Sequence, residues 1–175
     1  TVKAALNSPL KLNGSVAVLF GKKGLISAEY GYTNYKGMYY ADKQSGSSNS
    51  YSTENGDISS MTNANSTIKI GGEYKITDNF AVRAGFAYIT PTQNERAEKI
   101  SYINTARTDM DILVNKGSSY FNAGFGYRDS DWYFDIAYSY HRLNETFYAF
   151  NASNVKPADI TTNNNNIILT VGLRF

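Results

Sequence analysis

Asp135, Ser139 and His141 put a carboxylate, a hydroxyl and an imidazole at even offsets along one stretch, the inventory from which hydrolases are made. In an extended chain of period two, even offsets place all three side chains on one face. Ser139 and His141 then lie roughly 6 to 7 Å apart along the strand. A lipid hydrolase working from a membrane needs that pair turned toward lipid, yet the opposite face carries Tyr138 and Tyr140. An outer-membrane lipid hydrolase is therefore only the third reading, and no residue is assigned a catalytic role. His141 is the single histidine and cysteine is absent, which removes thiolate sites and histidine metal clusters. Asp109 and Asp111 are two carboxylates without further ligands, too few for a cation. Neither metal nor cofactor is expected.

The other charged groups share a positional habit. Lys69, Glu73, Arg83, Arg128, Asp135 and Arg174, with Glu29, each stand opposite an apolar row. Residues 74–91 show it best: Phe80, Val82, Ala84, Phe86 and Tyr88 alternate with Ala81, Arg83, Gly85 and Ala87. Such charges are costly in a dry core unless paired. In a hydrated lumen they either steer a carboxylate or form an internal salt-bridge lattice, and the lattice is the expected role. A second set is apolar and lies outside the alternating stretches: Met110, Ile112, Leu113 and Val114, with Phe147, Tyr148 and Phe150. A hydrophobic ligand needs an apolar pocket with few polar groups. The alternative is a small loop core, or contact with further wall.

These residues require strands to hold them. At 175 residues the chain has one domain's length, and a net charge of +2 suggests no nucleic acid. No apolar run approaches the roughly 18 to 20 residues of a membrane helix, and mean hydropathy is below zero. A transmembrane barrel shows lipid only alternate residues, so that average does not exclude one. Fifteen tyrosines and nine phenylalanines beside fourteen glycines suit an all-β chain with an aromatic surface.

Alternation predicts seven strands, near 11–20, 25–40, 66–76, 80–90, 119–128, 132–148 and 166–175, while 1–10, with Pro9, reads as the tail of a loop. Short turns alternate with long polar loops at 43–65, 91–118 and 151–165. That asymmetry is the pattern of a transmembrane antiparallel up-and-down β-barrel of the bacterial outer membrane. Phe20, Phe80, Tyr127, Trp132 and Phe175 collect beside the short turns; Tyr32, Tyr88, Tyr138 and Tyr140 lie toward the long loops, as two aromatic girdles would. Seven is an odd count, and the chain opens at Thr1 without methionine or signal sequence. The expectation is the C-terminal half of a larger barrel, its wall completed by the N-terminal half on the same or another chain. Phe175, with Leu173 and Val171 at period two, reads as the signal taken by the barrel-assembly machinery.

Leu25-Ile26-Ser27-Ala28-Glu29-Tyr30-Gly31-Tyr32, the stretch from Tyr74 to Pro91, and Gly124-Phe125-Gly126-Tyr127 with Trp132 and Ala137-Tyr138 resemble the FadL family of outer-membrane transporters. The likeness runs in order from Lys11 to Phe175. It implies a fourteen-stranded barrel plugged by its N-terminal segment. Long-chain fatty acids or other hydrophobic molecules would be caught at the extracellular loops and released sideways. The family's plug and its Asn-Pro-Ala-type motif have no counterpart in this stretch. The expected function is passive transport of hydrophobic molecules, with membrane lipid, ligand, barrel half and assembly machinery as partners. The runner-up is a small structural or adhesive barrel of about eight strands.

Overall fold

The computed structural model describes residues 3–94, 112–148 and 155–173. Its centre is a seven-stranded antiparallel sheet in sequential order: β2 (Lys11–Phe20), β3 (Gly24–Asn34), β5 (Ala64–Lys75), β6 (Phe80–Ile89), β7 (Ile112–Arg128), β8 (Trp132–Tyr148) and β9 (Ala158–Leu173). A second, two-stranded sheet pairs β1 (Ala4–Asn7) with β4 (Tyr39–Asp42). An α-helix, α1 (Ser52–Met61), lies between β4 and β5. No helix among the described residues is long and apolar enough to cross a membrane, which bears on helices alone.

Registers carry the alternation from strand to strand. Phe20, Gly24, Tyr74, Val82, Phe125, Ile136 and Leu169 form one cross-sheet row, and Val16, Ala28, Ile70, Phe86, Phe121 and Tyr140 another. Rings meet diagonally between the first row and its neighbour Phe80, Tyr127 and Phe134, Phe80 with Phe125 at 5.7 Å between centroids and Phe125 with Phe134 at 6.3 Å. Such cross-strand aromatic pairs are worth about 0.5 to 1 kcal/mol each. Among the described residues nothing covers this apolar face across the middle of the sheet: Ile70 is 53% exposed, Leu169 63% and Val171 70%. In water, each such side chain forgoes roughly 1.5 to 3 kcal/mol of burial.

The structure shifts several boundaries. The strand expected over 25–40 stops at Asn34, whose amide donates to the Leu10 carbonyl at 2.9 Å and closes the hairpin with β2. A short 3-10 turn, Tyr35–Gly37, then redirects the chain into β4. Residues 1–10, read as loop, contain β1, although it pairs outside the main sheet. The loop expected over 43–65 holds α1, none of whose residues is buried. Asn55 ties it down, accepting from the Tyr40 amide at 2.6 Å and donating to the Tyr40 carbonyl at 2.9 Å.

β7 and β9 begin earlier than expected, at Ile112 and Ala158, because β8 runs 17 residues and gives both a ladder beyond the apolar rows. Between Asn115 and Ser118 a bulge breaks the β7–β8 register. Gly117 occupies it at φ +101°, where an added Cβ would stand 2.9 Å from the Ile89 carbonyl oxygen. The sheet is open. Its edges are β2 and β9.

Candidate functional site

The polar face is assembled from alternate residues of the same strands. Glu73 and Arg83 are register partners across the β5–β6 hairpin, and the Arg83 Nε donates to Glu73 Oε2 at 2.7 Å. The other arm of the guanidinium reaches diagonally over β7, Nη1 donating to Asp135 Oδ1 on β8 at 2.8 Å. Gly126 makes that crossing possible. A Cβ there would collide with the Asp135 carboxylate and stand 3.2 Å from Arg83 Nη1. Lys69 Nζ and Glu29 Oε1 pair at 2.8 Å four residues further along β5 toward the long loops. All five groups remain about a quarter to a half exposed, so each pair is worth about 1 kcal/mol or less.

Of the charges expected in a lumen, Lys69, Glu73, Arg83 and Asp135 are thus drawn into ion pairs. Arg128 lies at the short-turn end, lining a recess with Lys75 and Asp78 that Glu73 and Arg83 also border. Arg174 and Phe175 lie outside the described residues, as do Met110, Phe150, Asp109 and Asp111. Among the described residues no cluster of three or more His, Cys, Asp or Glu could hold a metal ion.

Asp135, Ser139 and His141 do share the polar face, but they do not converge. Asp135 is engaged by Arg83, and six residues of strand, about 20 Å, separate it from His141. The His141 ring lies flat on Tyr120 with centroids 4.1 Å apart and planes 9° off parallel. Its Nε2 is enclosed, with no hydrogen-bond partner among the described residues.

The apolar set beyond the rows divides between two faces. Val114 is fully buried with Tyr148 in a small core that Met61 of α1 packs against, so these residues serve the loop region's own packing. Leu113 points the other way and is 49% exposed, with Phe147 as its register partner; only the backbone of Ile112 is described. Leu143 and Ile160, which the alternation did not single out, join Leu113 and Phe147 on the continuation of the polar face, around Glu145.

Tyrosines on the apolar face add an orientation. The Tyr138 and Tyr140 hydroxyls donate to Asn165 and Asn163 Oδ1 at 2.6 and 2.7 Å, and Tyr30 and Ser66 bond through their hydroxyls at 2.9 Å. In every case the phenol reaches past its register partner toward the long-loop end. Beside the short turns, Trp132 and Tyr127 pack with centroids 5.2 Å apart. An apolar groove of about 640 Å³ lies on the same face across β2, β3, β5 and β6, floored by Gly72 and Ala84 and walled by Phe20, Ile26, Tyr74 and Val82. Compared with models of protein families, with curated proteins and with solved structures, the chain matches none.

Proposed function

We propose that this chain is part of the wall of a FadL-like bacterial outer-membrane barrel that lets long-chain fatty acids or other hydrophobic small molecules pass without an energy source. The observation that carries the reading is the uncovered apolar face. It runs across seven antiparallel strands, edged by tyrosine hydroxyls at one end and by Trp132 at the other, with an ion-paired polar face behind it. On β6 the rows span Phe80 to Tyr88, nine positions, near the roughly 9 to 11 residues of a tilted membrane strand. In this reading the apolar face meets lipid and the polar face a hydrated lumen. The remaining wall brings the count to fourteen strands, and Phe175 addresses the chain to the assembly machinery.

Leu113, Leu143, Phe147 and Ile160 support a place for ligand on the lumen side, above the membrane. The Arg83 guanidinium, already shared between two carboxylates, is a lattice member and not a free anion receptor. No enzymatic role is proposed, since Asp135 and His141 are committed to different partners. The test is uptake of a fluorescent fatty acid by cells carrying the protein, with Leu113→Asp and Phe147→Asp variants alongside. The expected result is at least about a tenfold loss of uptake, the scale of an apolar contact replaced by a charge. If the unaltered protein neither binds nor passes fatty acid, the transporter reading fails and a structural barrel remains.

A further inference from the structure

The apolar groove across β2, β3, β5 and β6 ends against a turn of distinctive charge. Phe20 and Gly24, two of its lining residues, bracket the β2–β3 turn, whose tip is Gly21-Lys22-Lys23. The Lys75 amide donates to the Lys23 carbonyl at 2.7 Å, which fixes that turn to the end of β5, beside Tyr74 on the groove wall. Both lysines are exposed, and none of the ion pairs among the described residues takes up either one. The other two short turns have acidic tips, Asp78 in one and Asp129 with Asp131 in the other. Two cations thus stand at the end of an apolar trough, at this turn alone of the three.

The floor of the trough is backbone and methyl. A side chain at Gly72 would stand 3.1 Å from the Leu25 carbonyl oxygen, and Ala84 presents a single carbon. Glu73 and Arg83 also border the groove, but their side chains are ion-paired on the opposite face. The volume is that of a small-molecule site, without the polar groups that would satisfy an extended peptide. An alkyl chain has no such groups to satisfy. The complement of an apolar trough with two cations at one end is an amphiphile with an anionic head. In the membrane placement proposed above, on which this step rests, Phe20 belongs to the girdle at headgroup level. Lys22 and Lys23 then meet phosphates, and the groove lies among the upper acyl carbons. It opens on the face away from Leu113 and Phe147, so its occupant is lipid of the surrounding bilayer and not the molecule in transit.

We propose that the groove seats one acyl chain of an anionic phospholipid of the bilayer, whose phosphate is bound by Lys22 and Lys23.

The full protein, stripped of lipid in detergent, is titrated with dioleoyl phosphatidylglycerol, dioleoyl phosphatidylcholine and oleate, and bound molecules are counted by native mass spectrometry. The expected result is one phosphatidylglycerol per copy, held at least about tenfold tighter than phosphatidylcholine, the scale of two lysines near an anionic headgroup. Lys22→Gln with Lys23→Gln should erase that preference. Ala84→Leu fills the exposed floor and should weaken both phospholipids about tenfold. Ala28→Leu, equally exposed on the next row, should weaken neither.

Equal affinity for the two phospholipids, or a preference that survives the lysine variant, overturns the proposal. So does unaltered binding to Ala84→Leu. Oleate held in preference to phosphatidylglycerol, and lost in Ala84→Leu, overturns it in favour of a fatty-acid site. Absence of any bound lipid overturns it alone if brominated lipids quench Trp132 in the intact membrane, and together with the membrane placement if they do not. Phosphatidylglycerol retained as expected by a protein that passes no fatty acid supports the site and ends only the transport reading.

Discussion

Arg83 shows what single residues contribute to this sheet and how far they could be foreseen. Its planar guanidinium serves Glu73 and Asp135 at once, a fork geometry that a lysine cannot reproduce. Arg83→Met leaves the Glu73 and Asp135 carboxylates without their shared counter-charge, and with each pair worth about 1 kcal/mol or less the expected cost is up to about 2 kcal/mol. Gly126→Ala pushes Asp135 out of reach and should cost about 1 kcal/mol or less by removing one of the two bonds. The double variant should then fall well short of the sum, because both changes remove the Arg83–Asp135 contact. Denaturant midpoints of the four proteins in detergent check this, and strict additivity would mean that Gly126 acts through the backbone. The charges were readable from alternation, and the Glu73–Arg83 pair follows from a hairpin turning at Asp78-Asn79. The Arg83–Asp135 bond was not readable, since the β6–β7 register is set across a long connection that no local pattern fixes.

Among the elements, the strands within the apolar rows were legible because one face had to be apolar throughout. Beyond those rows the pattern fails but the ladder continues. Asn163 to Asn166 alternate nothing, yet they pair with Ser139 to Arg142 because backbone bonds need no particular side chain. α1 was invisible for a related reason: it buries no residue and is held by Asn55 and its neighbours, not by an apolar stripe. The bulge can be tested directly. Gly117→Ala forces a side chain into a left-handed conformation and against the Ile89 carbonyl, so a loss of about 1 to 3 kcal/mol is expected. It should appear first as faster hydrogen exchange in 112–118 and 143–148.

The β4 turn gives a pH prediction. Asp42 accepts from the Ser45 and Gln44 amides and the Ser45 hydroxyl, and these bonds, Ser45's amide foremost, lower its pKa below the usual 3.8. A carboxylate lowered on folding stabilises the fold above its unfolded value and loses that contribution as pH falls through the folded one. The Gln44 and Ser45 amides should therefore stay protected at neutral pH and open only below 3.8. Asp42→Asn should flatten that dependence, and protection unchanged by either would show that the carboxylate does not hold the turn.

For the molecule as a whole, the open question is which solvent the apolar face meets, and the single tryptophan can answer it. Trp132 opens β8 beside a short turn, is 41% exposed on the apolar face and packs on Tyr127. If that face lies in lipid, the indole belongs at the headgroup level, where amphipathic rings collect. Its emission should be blue-shifted and poorly quenched by iodide. Lipids brominated near the glycerol should quench it more than lipids brominated near the chain ends. Ile136 sits four residues along the same face, facing Phe125 and Leu169. Four strand residues tilted at about 45° descend roughly 9 Å. A Trp132→Phe, Ile136→Trp protein should accordingly reverse the preference, with the deep bromines quenching more. Two probes on one strand then measure a slope, which a nonspecifically adsorbed protein would not give. Equal quenching at both positions, or free access of iodide to both, would mean that the apolar face is covered by protein and not by lipid.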